Sequence, residues 1–231
     1  MNVMPLSEDH HGPAADRVAV ALRRDLLNGD FLPGDRLREG ELSARFHCGR
    51  YTVRTAIRSL VDSGLLVHER NKGALVPELT QERIDQVFGY RIALELGSLR
   101  LALKRGADLD EVSDAVEELA ALPEDVEWQE LTAAHSRIHE AIVRSSGNTR
   151  LISAYSSCQD ELQLLFVTVR PQFSVDRFAH LHRRLVVELR KGGETAMNAL
   201  LEDLENNGRR AVNAALRDAQ RQRRGAVLSP R

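Results

Sequence analysis

Apolar residues recur at helical spacing through most of the chain. Over residues 13–27, Val18, Ala21, Leu22 and Leu26 share one face and predict a helix that Asn28-Gly29 ends. Pro33-Gly34 marks a turn. Residues 39–46 predict a short helix and His47-Cys48-Gly49 a tight turn. Residues 50–62 predict a third helix, with Val53, Ile57 and Leu60 inward and Gly64 as its stop. Leu65-Leu66-Val67 and Ala74-Leu75-Val76 then read as two short strands about a polar loop, 69–73. Three helices followed by a β-hairpin, with a short turn between the second and third, predict a winged helix-turn-helix over residues 13–76.

The character changes at Val76-Pro77-Glu78-Leu79-Thr80. Beyond it, helical patterns run long with few breakers, and Thr80 ahead of Glu82 and Arg83 reads as a helix start. The expected organisation is a disordered tail (1–12), the winged helix-turn-helix, a linker (77–80), an all-helical bundle (81–222) of six long helices, with seven the alternative, and a C-terminal tail (223–231). The fold class is therefore mainly α.

Composition narrows the function classes. The 231 residues are 42% hydrophobic and 29% charged, which fits a globular protein. No stretch approaches the roughly 18 apolar residues of a membrane helix, and the first residues lack a signal-peptide core. Cys48 and Cys158 cannot form a disulfide framework, so a cytoplasmic protein with no membrane partner is expected. The net charge of −2 gives no global signal for nucleic acid. Locally, however, Arg45, Arg50, Arg54, Arg58, Arg70 and Lys72 face only Asp62 and Glu69 between residues 45 and 73. That segment carries +4 and leaves −6 for the rest. A charge run is commonly a solvated face; on a winged helix it also suits a polyanion. Arg50, Tyr51, Arg54 and Arg58 lie off the apolar face of the third helix, where Arg can read guanine edges. Thr52 can bond a phosphate or base edge, and Arg70, Asn71, Lys72 and Gly73 form the wing tip.

The second region carries polar residues on apolar stripes. Trp128, Leu131, His135, Ile138, His139 and Ile142 share one face; Phe178, His182, Leu185 and Leu189 another; Ile84, Phe88, Arg91, Leu94 and Glu95 a third. His135 and His139 are four apart, so both rings point the same way. Inward imidazoles serve either as hydrogen-bonded core or as ligands of Zn²⁺ and similar ions, and spacing alone leaves both open. A buried guanidinium needs a partner or a ligand. A second row on the first long helix, Ile92, Leu96, Leu99 and Leu103, suits a central helix or one that also packs in a dimer. Met197, Leu200, Leu201 and Leu204 form a further apolar stripe, and Asp203 and Glu205 would point about 100° off it. His135-Ser-Arg-Ile-His139-Glu140 lacks the internal Glu of zinc peptidases, which argues against an enzyme.

Residues 32–76 resemble the N-terminal domain of the GntR family of bacterial transcription regulators. The resemblance rests on Pro33, Gly34, Leu37, Glu39 and Leu42, then Arg50, Val53, Arg54, Ala56, Leu60, Gly64 and Leu65. The chain departs from the pattern at Gly49, Tyr51 and Thr52. Tyr90-Arg91 through Leu94-Glu95, His139 through Ser146-Gly147-Asn148, and His182-Arg183-Arg184-Leu185 are similar to signatures of the FadR subgroup and its all-helical FCD-type ligand domain. The resemblance implies a homodimeric, ligand-responsive, sequence-specific DNA-binding regulator, a repressor released by a small anionic metabolite, most simply a carboxylate. It further implies double-stranded operators with inverted half-sites, read by Arg38, Arg50, Tyr51, Thr52, Arg54, Arg58 and the wing. Members with a metal site use an Asp, a His and two later His; the matching positions here are His135, His139, His182 and Leu204. Two of the four depart. One divalent transition metal (Zn, Ni or Mn) per chain on His135, His139 and His182 is the expected cofactor. Those residues with Arg91 are the expected effector site, and Asn148 is expected to cap the next helix.

Overall fold

A computed structural model describes residues 13–70, 73–167 and 173–227. The chain folds as two units divided after Glu78. In the first, α1 (Ala14–Asn28) buries Val18, Ala21, Leu22 and Leu26 and ends at Gly29, whose φ of 81° is left-handed. Then come β1 (Arg36–Leu37), α2 (Glu39–Arg45), α3 (Arg50–Asp62), β2 (Val67–Glu69) and β3 (Gly73–Leu75). Val53, Ala56, Ile57 and Leu60 turn α3 onto the core.

The sheet is antiparallel, in the order β1-β3-β2. Two expectations are corrected here. Arg36-Leu37, for which the sequence pattern predicts no element, pairs with Leu75-Ala74 as an outer strand. Leu65 and Leu66 are buried but precede the strand, because the Leu66 N–H bonds the Leu60 carbonyl and finishes the helix end. The tail 1–12 and the wing residues Asn71 and Lys72 lie outside the described residues.

In the second unit, α4 (Gln81–Lys104) starts at Thr80, whose hydroxyl accepts from the Arg83 N–H. It is followed by α5 (Asp110–Ala120), α6 (Trp128–Arg144), α7 (Thr149–Val167) and α8 (Val175–Leu189). Then α9 (Gly193–Glu202) runs without a break through a π-helical segment (Asp203–Arg209) into α10 (Arg210–Val227). The described residues thus form six helical rods, and the last continues to Val227, past the expected boundary at 222. Ile84, Phe88, Ile138, Tyr155, Phe178 and Leu200 lie in one core. The Asn148 side chain caps α7, accepting from the N–H groups of Arg150 and Leu151 at 3.0 and 3.3 Å. Leu201, expected inward, is 37% exposed, because the apolar side of α9 narrows to Ala196 and Leu200.

The π segment has its own packing requirement. A Cβ on Gly208 would stand 2.6 Å from Cε1 of the fully buried Phe88 ring. Gly208→Ala is expected to destabilise the second unit by about 1–3 kcal/mol through overpacking, read as a lower thermal midpoint. An unchanged midpoint would show that the ring has room to move.

Candidate DNA-facing surface and effector site

In the first unit, Arg50, Arg54 and Arg58 are exposed on α3, Tyr51 is 82% exposed, and Thr52 is half-buried. Arg54 grips the Glu39 carboxylate with Nε at 2.9 Å and Nη2 at 2.8 Å. That fork ties the guanidinium on α3 to the first residue of α2. Arg38 bonds Glu41 at 2.8 Å, and Arg70 is exposed. Between α3 and the sheet runs a groove of about 540 Å³, lined by Arg36, Arg38, Arg54, Arg58 and His68 among others. Arg36 is a residue that sequence reasoning misses. A Cβ on Gly73, where φ is 83°, would lie 4.0 Å from its guanidinium. Its strand of two residues is too short to show alternation, so only its charge could mark it.

In the second unit, α6 and α8 bring His135, His139 and His182 together. All three are buried, at 5%, 1% and 2% exposure. His139 Nε2 lies 3.2 Å from His135 Nε2 and 3.3 Å from His182 Nε2. The other ring nitrogens decide the protons. His139 Nδ1 is 2.9 Å from Glu95 Oε2, and His182 Nδ1 is 2.7 Å from the Phe178 carbonyl. Both partners only accept, so each Nδ1 donates. Burial above all, then the neighbouring imidazoles, pushes the His135 pKa well below its ordinary value. Burial likewise lowers that of His182. A neutral His182 therefore turns a lone pair toward His139, and the buried His135 Nδ1 has no hydrogen-bond partner.

Around the imidazoles stands a buried polar shell. Glu95 also accepts from Arg91 Nε at 2.7 Å and from the Tyr155 hydroxyl at 3.1 Å. Burial alone would raise the Glu95 pKa, but His139 and Arg91 outweigh it and hold it at about 2. Arg91 thus has the partner that a buried guanidinium requires, and Glu95 and Tyr155 join the site as residues that sequence reasoning does not assign to it. The Arg91–Glu95 spacing of four is a visible signal; nothing in the sequence marks Tyr155. His135 stacks on Phe178 at 4.4 Å between centroids.

Arg91, the three histidines, Asp203 and Leu204 line a cavity of about 10 Å³. That is room for one water or ion and not for a carboxylate metabolite. Leu204 faces inward as expected, at 1% exposure, but so does Asp203, at 7%. Asp203 would leave the stripe only on a regular helix; the π segment winds wider, with i→i+5 bonding.

The donor set fits a metal ion. Two nitrogens bound at ~2.1 Å to one tetrahedral ion stand about 3.4 Å apart, close to the 3.2 and 3.3 Å found. Each Nδ1–H of His139 and His182 ends on a carboxylate or carbonyl, as metal-ligating imidazoles do. The cluster could hold one metal ion through one nitrogen of each ring.

Known proteins agree with this architecture. The family described as "Bacterial regulatory proteins, gntR family" matches residues 14–76, and the FCD domain matches residues 86–207. An uncharacterized HTH-type transcriptional regulator, YdhC, of Bacillus subtilis (strain 168) is 26% identical over 180 residues, 76% of this chain and 80% of that protein. The gluconate operon transcriptional repressor of Bacillus licheniformis is 27% identical over 151 residues, 64% of this chain and 61% of that protein. A GntR transcriptional regulator from Rhodococcus sp. RHA1 superposes with a TM-score of 0.71 at 26% identity, over 87% of this chain and 98% of that one. No described helix is long and apolar enough to cross a membrane. A winged helix followed by an FCD domain makes this chain a member of the GntR family of bacterial transcription regulators, in its FadR/FCD subgroup, and not an enzyme.

Proposed function

We propose that this regulator is a dimeric repressor whose grip on DNA is released by a small carboxylate bound beside a metal ion. The observation that carries the sensing half is the convergence of three Nε2 atoms, with the Nδ1–H groups of His139 and His182 already committed to Glu95 and the Phe178 carbonyl. A single proton bridges two nitrogens, whereas a metal ion accepts lone pairs from all three. Zn²⁺, Ni²⁺ or Mn²⁺ bound there would supply a Lewis-acidic positive charge for an anionic ligand. Arg91 lines the same cavity, with its charge balanced by Glu95, and offers hydrogen-bond donors there. The relative named for a gluconate operon supports a hydroxy-carboxylate class. Leu181, Asp203 and Asn207 separate the small cavity from an outer groove of about 640 Å³, and this wall must yield to admit a metabolite.

The DNA half rests on α3 and the wing. Arg50, Tyr51, Thr52, Arg54 and Arg58 would enter the major groove, with Arg38 at its rim. Arg70, Asn71, Lys72 and Gly73 would reach a flanking groove. The half-buried row Ile92, Leu96 and Leu103 and the exposed Leu101 support a homodimer through α4. A two-fold dimer requires inverted half-sites.

The test is operator binding. DNA selected by the wild-type protein from a random pool is titrated with wild type and Arg54→Ala. Loss of one bidentate base contact in each half-site, worth about 1–3 kcal/mol or 5–150-fold apiece, should weaken dimer binding by at least about 30-fold. Equal affinity would remove α3 from the groove.

A further inference from the structure

We propose that Asp203 is the fourth protein ligand of the ion held by His135, His139 and His182, supplying from an adjacent position the donor that Leu204 cannot. This rests on the metal reading above. The carboxylate is already aimed. Asp203 Oδ2 lies 4.0 Å from His139 Nε2, and Oδ1 accepts from the Asn207 amide at 2.9 Å. Donors on one tetrahedral ion at ~2.1 Å stand about 3.4 Å apart, so Oδ2 must close on His139 Nε2 by roughly 0.6 Å to enter the coordination sphere.

The backbone explains how a neighbour takes the place of Leu204. On a regular helix, adjacent side chains diverge by about 100°. Here the π segment begins at Asp203, and Asp203 and Leu204 both line the cavity. Leu204 fills the wall with apolar atoms while Asp203 supplies the oxygen. Asn207, within the same segment, orients that carboxylate and leaves Oδ2 free to turn inward.

Charge argues the same way. A buried carboxylate bonded to a neutral amide is costly unless a cation faces it. Arg91 and Glu95 cancel one another, so three neutral imidazoles would leave a divalent ion uncompensated. Asp203 reduces the site to a single positive charge, which matches one carboxylate effector.

Co²⁺ titration of the full-length protein, followed by calorimetry and visible absorption, tests the assignment. Wild type should bind one ion per chain, and Asp203→Asn, which keeps the shape and the Asn207 contact, should bind at least about tenfold more weakly. Asp203→Cys gives a second readout independent of affinity: a thiolate on the ion adds a near-ultraviolet sulfur-to-cobalt charge-transfer band absent from wild type. Unchanged affinity in Asp203→Asn, or a Co²⁺-loaded Asp203→Cys protein without the band, overturns the assignment while leaving a three-histidine site intact. A wild type that binds no Co²⁺, Zn²⁺, Ni²⁺ or Mn²⁺ overturns the metal reading itself, and the assignment with it.

Discussion

Zn²⁺ added at 100 times its dissociation constant should stabilise the helical unit of the wild-type protein by about 2.7 kcal/mol, and His139→Ala should gain nothing. For a unit of this size, that increment raises the thermal midpoint by roughly 5–11 °C. His139 is the residue to remove because it is the hub: its Nε2 lies within 3.3 Å of both other Nε2 atoms, whereas its Nδ1 is anchored on Glu95. Without it, His135 and His182 keep two donors on separate helices and lose the carboxylate that orients the central ring. The substitution also costs stability by itself, because Glu95 Oε2 loses its imidazole donor. The quantity to compare is therefore the metal-induced rise within each variant. Elemental analysis of tag-free protein gives an independent count, with about one ion per wild-type chain expected and none in His139→Ala. A rise of equal size in both proteins would place the ion elsewhere.

How far the sequence reveals this arrangement depends on the range of the interaction involved. Helices α3, α6 and α8 are legible because each buries one face, so Val53, Ile57 and Leu60, or Phe178, His182 and Leu185, repeat at helical spacing. The same periodicity turns His135, His139 and His182 inward. Elements without a period are lost: β1 has two residues, and its pairing with Leu75-Ala74 depends on a partner nearly forty positions away. Glu95 is visible on the stripe of Arg91. Its bonds to His139 and Tyr155, 44 and 60 residues on, are tertiary. Periodicity misplaces Asp203 for a specific reason. It presumes 3.6 residues per turn, and the chain abandons that winding at Asp203 itself.

Glu95→Ala should be the most damaging single substitution in the helical unit. Glu95 is fully buried and serves three donors at once: Arg91 Nε at 2.7 Å, His139 Nδ1 at 2.9 Å and the Tyr155 hydroxyl at 3.1 Å. Removing it leaves the Arg91 guanidinium, 2% exposed, without its counter-ion. Breaking a buried pair from one side costs about 3–5 kcal/mol, which lowers the midpoint of a unit this size by roughly 6–20 °C. The loss measures an orphaned charge more than the worth of the pair. The double variant Arg91→Met/Glu95→Met, which buries neither charge, should therefore recover much of it. A single variant that melts within about 1 °C of wild type would show that Arg91 finds water or another anion. Glu95→Gln is the milder probe of the ligand. It keeps the volume and one acceptor oxygen for His139 but withdraws the charge that makes the ring a stronger ligand, so metal affinity should fall by about 10–100-fold; Arg91 loses its counter-ion here too, so the midpoint should also drop. If instead Glu95→Gln binds metal as wild type does, the carboxylate serves Arg91 and the core, and the orientation of His139 comes from packing alone.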